Sequence, residues 1–310
     1  MEYRRLGGSG LKVSAVGLGC NNFGMRCDAE QTKAVVHAAI DVGVTLFDTA
    51  DVYGRGASET LLGQALGVRR KDIVLATKFA FPMSDSPLDR GGSRRYVIKA
   101  CEASLTRLGT EYIDLFQMHA PDAETPIEET LEALDQLVRA GKVRYVGCSN
   151  YAAWQLVDAL WTSKTRGLPR FVSAQNNYSL LERTIRHELV PACGAQRVSI
   201  LPYFPLANGL LTGKYKRGEA PERGTRLGLM GERAKRMLTD ERFEKVEALE
   251  GFAKAREKTL LELAFAFLLS QKEVASVIAG ATKPEQVQAN VLAGAYRLTP
   301  PDQLALAPLL

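Results

Sequence analysis

The sequence predicts an α/β fold: a (β/α)8 TIM barrel with a short N-terminal hairpin and a long loop after the seventh barrel strand. Three observations carry that reading. Short apolar runs without period-two alternation recur along the chain, as strands buried on both faces require. Segments of helical period separate them, the pattern of βα units joined into a parallel sheet. No linker, low-complexity tract or short-period repeat interrupts the series, so residues 1–310 read as one domain.

A short strand pair around Gly8 comes first. The eight apolar runs follow as Val16–Leu18, Val44–Phe47, Ile73–Ala76, Ile113–Phe116, Val143–Val146, Phe171–Ala174, Val198–Leu201 and Val274–Ile278. Asp28 with Gln31 opens the first helix, Val35, Ala38, Ala39 and Val42 form its apolar stripe, and Gly43 ends it. Gly67 and Gly109 end two more. Thr125-Pro126-Ile127-Glu128 joins a capping box to a proline at the first helical position, with Gly141 as the stop. Thr259 and Glu262 cap a strongly apolar helix. The one long irregular stretch, Ala207–Leu238, is rich in glycine and basic residues, and is expected to fold over a cofactor. The tail after Leu298 ends in a short helix.

Composition narrows the class. Of the 310 residues 46% are apolar and 24% charged, an ordinary globular balance. Five cysteines, odd in number and without a CxxC pair, fit reduced thiols in the cytoplasm better than a disulfide framework. The opening MEYRRLGGSGLKVS has no apolar signal region, and no apolar run nears the ~20 residues of a membrane span, so no membrane insertion is expected. The net charge is +5, densest from Lys214 to Arg236. That patch reads either as a solvated basic loop or as a cradle for an anion. Nucleic acid is a poor partner, because aromatics do not interleave with the charges.

In barrels of this type the active site gathers at the C-terminal ends of the strands. The residues standing there are Gly19, Asp48, Lys78, His119, Ser149-Asn150, Gln175, Tyr203 and Gly280. Each alone has an ordinary explanation, as a turn, a surface charge or core packing. Together they put an acid, a lysine, a histidine, amides and hydroxyls around one mouth. His37 and His187 fall within helices and read as structural. No HxH or HExxH pair supports a metal, no G-x-S-x-G elbow or P-loop occurs, and no G-x-G-x-x-G marks a Rossmann turn.

Eight blocks in order carry a resemblance. They are YRRLGGSGLKVSAVGLG near the start, FDTADVYGRGASETLLGQAL at 47–66, ATKF at 76–79, YIDLFQMHAPD at 112–122, GKVRYVGCSNY at 141–151, AQNNYSLLER at 174–183, PLANGLLTGKY at 205–215 and VIAGATKPEQVQAN at 277–290. From Tyr3 to about Leu298 the chain resembles the aldo-keto reductases, in particular the bacterial and channel-β-subunit-like branch. The resemblance implies an NADP(H)-dependent oxidoreductase that interconverts aldehydes or ketones and alcohols by direct hydride transfer. It carries the catalytic set over to Asp48, Tyr53, Lys78 and His119. Tyr53 is then the general acid or base, and the Lys78 ammonium is expected to lower its pKa from about 10. Asp48 pairs with Lys78, and His119 orients the substrate oxygen.

The same resemblance implies cofactor contacts. Gly19, Ser149, Asn150 and Gln175 lie towards the nicotinamide, with a ring from Tyr178 or Tyr203. Phe204, Pro205, Leu206, Asn208, Gly209, Lys214 and Arg226 lie along the pyrophosphate. Gly280, Thr282, Lys283, Gln286 and Asn290 lie towards the adenosine. Thr282 with Glu285 is expected to cap a helix whose N-terminus, with Lys283, takes the 2′-phosphate. Two positions depart from the family: Phe204 where relatives often carry Ser, and Ala289 where some carry Glu. Asn22, Phe23, Met25, Phe81 and Pro82 are expected around the substrate. A Schiff-base aldolase on Lys78 is disfavoured, because Asp48 would keep the lysine protonated. A second reading, an NADP(H)-binding redox-sensing regulatory subunit with little turnover, stays beside the enzyme, and monomer and homo-oligomer both stay open.

Overall fold

A computed structural model describes residues Met1–Leu310. Strands β1 (Tyr3–Arg5) and β2 (Lys12–Ser14) pair antiparallel as the N-terminal hairpin. Eight parallel strands follow: β3 (Val16–Gly19), β4 (Leu46–Asp48), β5 (Val74–Phe79), β6 (Ile113–Met118), β7 (Val143–Ser149), β8 (Phe171–Asn177), β9 (Ser199–Tyr203) and β10 (Val277–Gly280). They run in sequence order with β10 returning beside β3, and a parallel bridge between Ile200 and Val274 brings the barrel almost to closure.

Helices α1 (Ala29–Asp41), α2 (Ala57–Leu66), α3 (Arg94–Leu108), α4 (Ile127–Arg139), α5 (Ala153–Arg166) and α6 (Leu189–Gln196) fill the first six crossovers. The seventh holds α7 (Glu232–Lys235), α8 (Asp240–Lys254) and α9 (Leu260–Leu269). Beyond β10 come α10 (Pro284–Ala293) and α11 (Pro300–Leu306). No helix is long and apolar enough to cross a membrane.

The caps decide where several helices begin. Asp28 with Gln31 and Thr259 with Glu262 form complete capping boxes, as their spacing predicts. Thr125 does not cap α4. Its hydroxyl donates instead to Asp122 Oδ2 at 2.7 Å, and Pro126 becomes the N-cap. Asp122 also accepts from the backbone of Gly92 and Glu124, so it ties two loops of the barrel mouth together and removes Thr125 from its capping role.

Two apolar cores result. The larger, 73 buried residues, lies between strands and helices. The smaller fills the barrel with Leu46, Val74, Ala76, Leu115, Val172, Leu201 and Ile278, and Leu6 and Val13 of the hairpin segment plug its base. Strand side chains alternate faces, so the residue two places beyond an interior apolar one also points inward. Leu46 is followed so by Asp48, Ala76 by Lys78, Leu115 by Gln117, Leu201 by Tyr203 and Ile278 by Gly280. A dry apolar layer thus supports a polar one at the C-terminal end.

Most strands also run further than the apolar runs suggest. Lys78 pairs with Gln117, and Ser149 with Gln175, inside the sheet. Polarity marks the rim of the barrel, while backbone pairing continues through it.

Candidate active site

The Lys78 ammonium is fully buried at the barrel rim, and all three of its protons have acceptors. They are Asp48 Oδ2 at 2.6 Å, the Thr49 carbonyl at 2.8 Å and Tyr53 Oη at 3.5 Å. Asp48, 3% exposed, accepts at Oδ1 from Gln175 Nε2 at 2.8 Å and from Gln117 Nε2 at 3.2 Å. Burial alone would push the lysine down, but Asp48 and Tyr53 outweigh it and hold Lys78 above its ordinary pKa. Lys78 is therefore a fixed cation, unsuited to attack as a free amine.

Tyr53 follows in the loop after β4, where Gly54 and Arg55 both have positive φ and turn the chain into α2. Its ring lies edge-on to His119 at 5.8 Å between centroids, with Lys78 Nζ 5.0 Å from its own centroid. The expected acidification of Tyr53 is not what this geometry gives. Burial pushes the phenol above its usual value, because the Lys78 charge that would lower it is already compensated by Asp48 and stands at a long 3.5 Å. The phenol keeps its proton through neutral pH. His119 is pushed down to about 2, first by burial and then by Lys78, so its imidazole is neutral. Its Nδ1 is buried without a hydrogen-bond partner in the protein.

These groups stand at one end of a cavity of about 770 Å³, within the range of ligand sites. Gly19, Asp48, Tyr53, Phe81, His119, Asn150, Gln175 and Tyr203 surround this end. The wall continues along residues 204–209, where Phe204, Ala207, Asn208 and Gly209 all have positive φ. Glycine suits position 209 because its φ of 98° strains any residue with a side chain. Non-glycine residues in this region cost on the order of 1 kcal/mol each, and such strain gathers at ligand-holding segments. The far wall holds Thr282, Gln286, Ala289 and Asn290.

Among known sequences, the model of the Aldo/keto reductase family matches residues 15–306. A protein of Arabidopsis thaliana named probable voltage-gated potassium channel subunit beta is 37% identical over 300 residues, 94% of this chain and 91% of that protein. L-glyceraldehyde 3-phosphate reductase of Escherichia coli (strain K12) is 34% identical over 305 residues, covering 94% and 87%. Versiconal hemiacetal acetate reductase of Aspergillus parasiticus is 33% identical over 329 residues, covering 97% and 95%. The chain belongs to the aldo/keto reductase family. It is an oxidoreductase of the carbonyl-reducing kind, and the family generally uses nicotinamide cofactors.

The cavity of this aldo/keto reductase suits such a cofactor. Gln175 spends its amide N–H on Asp48, which turns its Oε1, free of protein partners, to the cavity as an acceptor. Asn150 is held at φ 61 by His119 O and Ser149 Oγ, and its Oδ1 takes the Tyr203 hydroxyl at 2.8 Å. Arg26, Lys214 and Arg226 line the cavity, and none is within 4.0 Å of a carboxylate. Burial and then Arg26 push Arg226 below its usual pKa, as expected for two neighbouring guanidiniums.

Several expected contacts lie elsewhere. Ser149 is buried behind the wall and positions Asn150, its hydroxyl bound to Gln175 O at 2.8 Å. Tyr178 is enclosed in the core against Phe267, so the aromatic at the cavity is Tyr203. Phe23 is fully buried in the larger core, and Met25, 69% exposed, faces solvent. Neither lines the cavity, because the segment after β3 folds back between Phe23 and Cys27. Asn22 and Phe81 do line it, and Pro82 does not. Thr282 is not a cap: Lys283 is the N-cap, Pro284 begins α10, and the Thr282 N–H is spent on Gln286 Oε1 at 2.8 Å. Lys283 is exposed and does not line the cavity.

Arg26, Cys20 and Gln117 are among the residues that the sequence reading did not single out. Arg26 lines the cavity and is held to Gly224 O at 2.8 Å, tying the long loop across the mouth. Cys20 is also in the wall, its thiol pushed well up by burial. Gln117 was legible as the one amide inside the apolar run IDLFQM, a polar residue that needs a buried partner. Of the eight cations between Lys214 and Arg236 only Lys214 and Arg226 reach the cavity; Arg217 and Lys235, for instance, pair with glutamates.

Proposed function

We propose that this chain, one domain over residues 1–310, is a cytoplasmic NADP(H)-dependent reductase of aldehydes and ketones with Tyr53 as general acid. The observation that supports it most is the buried Asp48–Lys78–Tyr53 relay, which opens beside His119 at one end of a cavity with unpaired cations along its wall. The nicotinamide, when bound, supplies the hydride. Tyr53 Oη gives its proton to the carbonyl oxygen, and Lys78 offsets the charge left on the phenolate. Neutral His119 hydrogen-bonds the same oxygen and fixes its direction. Asp48, held by Gln117 and Gln175, keeps Lys78 in place. The five free, buried cysteines support a reducing compartment.

The test is NADPH consumption with a panel of aromatic and aliphatic aldehydes, beside direct NADPH binding. Turnover supports the reductase. Tight binding without turnover favours the other reading, a cofactor-sensing regulatory subunit, for which the channel-subunit names among the relatives speak.

Two outcomes refine the reading. Because Tyr53 is held above its ordinary pKa, kcat for reduction stays level from about pH 6 to 9 and falls only above about 10. Alcohol oxidation needs the phenolate and rises with pH over the same range. A kcat that declines through neutrality would remove Tyr53 as the acid. We assign the 2′-phosphate to Arg26 and the start of α10, because Arg26 lines the cavity with Thr282 and Gln286 and the neighbouring Cys27 thiol lies 4.0 Å from Thr282 O. Arg26→Ala is expected to weaken NADPH by about 10- to 100-fold and NADH little, the worth of one charged hydrogen bond. The same loss in Lys283→Ala, with Arg26→Ala unaffected, would return the phosphate to Lys283.

A further inference from the structure

One buried carboxyl of the catalytic loop takes no part in the relay. Asp51, 1% exposed, lies between Asp48 and Tyr53, and its N–H donates to the Lys78 carbonyl at 3.2 Å. Its Oδ1 has no hydrogen-bond partner. Its one side-chain contact is the Tyr96 hydroxyl, 3.4 Å from Oδ2. That same hydroxyl stands 3.4 Å from the carbonyl of Phe81, so one proton faces two acceptors. The Phe81 ring in turn lies 4.4 Å from the His119 imidazole, and both line the cavity.

We propose that Asp51 is a positioning residue whose protonation decides which acceptor the Tyr96 hydroxyl takes, and so whether the Phe81 backbone is clamped beside His119. With Asp51 protonated, its O–H donates to Tyr96 Oη, and the Tyr96 proton goes to Phe81 O. With Asp51 ionised, the Tyr96 proton turns to Oδ2, and Phe81 O loses its donor. Only the carboxyl exchanges a proton with solvent. Burial and Asp51 hold Tyr96 above its usual pKa, so the phenol itself does not titrate.

The surroundings make the two states close in energy. Glu59 of α2 faces Asp51 and repels it. Arg107 of α3, the one cation facing it, is held by Glu59 at 2.6 Å, while Thr77 of β5 donates to the other Glu59 oxygen. Lys78 offers only its carbonyl to Asp51, because its ammonium is taken by Asp48. Asp89, after β5, acts on Tyr96 from further out. Burial first, then Glu59, push the Asp51 carboxyl up to about 7, against the Val52 N–H, Arg107 and Tyr96.

This inference rests on the reductase reading for its kinetic readout and on amide exchange for an independent one. With NADPH and 4-nitrobenzaldehyde, KM of the unmodified protein is expected to rise about three- to tenfold as pH passes through neutrality, the worth of one hydrogen bond, with kcat nearly level. Asp51→Asn, whose amide donates to Tyr96 at every pH, gives a flat, low KM. Tyr96→Phe gives a flat, high one. Hydrogen–deuterium exchange of the segment around Phe81, corrected for intrinsic rates, rises over the same pH step in the unmodified protein and not in Asp51→Asn. A KM step that survives in Asp51→Asn, or exchange around Phe81 indifferent to both pH and the substitution, overturns the proposal. An exchange step without any turnover supports the switch and removes the reductase reading alone.

Discussion

Tyr53→Phe lowers kcat for aldehyde reduction by about 10²- to 10⁴-fold, the usual contribution of a positioned proton donor, while NADPH affinity stays within about twofold. The substitution removes one oxygen and little else. The phenyl ring keeps its edge contact with His119 and its place beneath Lys78 Nζ, and the phenol makes no hydrogen bond other than the long one from Lys78. Lys78 retains Asp48 and Thr49 O as acceptors, so no buried charge is stranded. The loss should therefore appear in kcat rather than in folding or binding. Steady-state kinetics with parallel fluorescence titration of NADPH measures both. Equal activity in the two proteins would mean that the proton comes from elsewhere.

Lys78→Met removes activity and also destabilises the fold, by about 3–5 kcal/mol, the cost of leaving one member of a buried pair unpaired. Asp48 would remain in the barrel with two amide donors from Gln117 and Gln175 but no cation. Adding Asp48→Asn to Lys78→Met should recover much of the stability and none of the activity. Urea denaturation of the two single variants and the double variant measures this as a coupling energy. Additive losses would show that the ion pair does not hold the rim together. The pH sense follows from the raised Lys78 pKa. The stability that this group contributes is complete below its unfolded value, about 10.4, and is lost as pH rises through the higher folded one. Lowering the pH from neutrality therefore leaves the Lys78 charge in place.

Much of this site was legible before any coordinates. Asp48 and Lys78 stand where apolar runs give way to polar residues, and alternation along a strand puts such residues inside the barrel. His119 and Tyr203 follow the same rule. Gln117 could have been read as well, since an amide within a buried strand must find a partner. Other contacts obey no such rule. Phe23 and Met25 sit in the right loop, but which of its side chains faces inward depends on the fold-back between Phe23 and Cys27. Thr282 and Thr125 have capping-box spacing, yet a nearby Gln286 and Asp122 offer better-placed partners and take their groups. Local pattern names the groups that need satisfying; competition among neighbours in space chooses the partner.

The departure at Phe204 shows the same division. Its difference from the family's usual serine is visible in the chain. Only the fold shows that its ring lies under the Arg226 guanidinium at 4.8 Å, where an aromatic face can hold a cation over the cavity.

By itself the sequence determined the barrel, the order of its strands and the family, and named the candidate residues at the rim, because hydrophobic period and motif order are properties of the chain. The tertiary structure decided the protonation of those residues and the faces of the loops. Both depend on burial and on charges brought together from distant strands: Asp48 compensates Lys78 before Lys78 can acidify Tyr53, and Glu59 claims the arginine that Asp51 lacks.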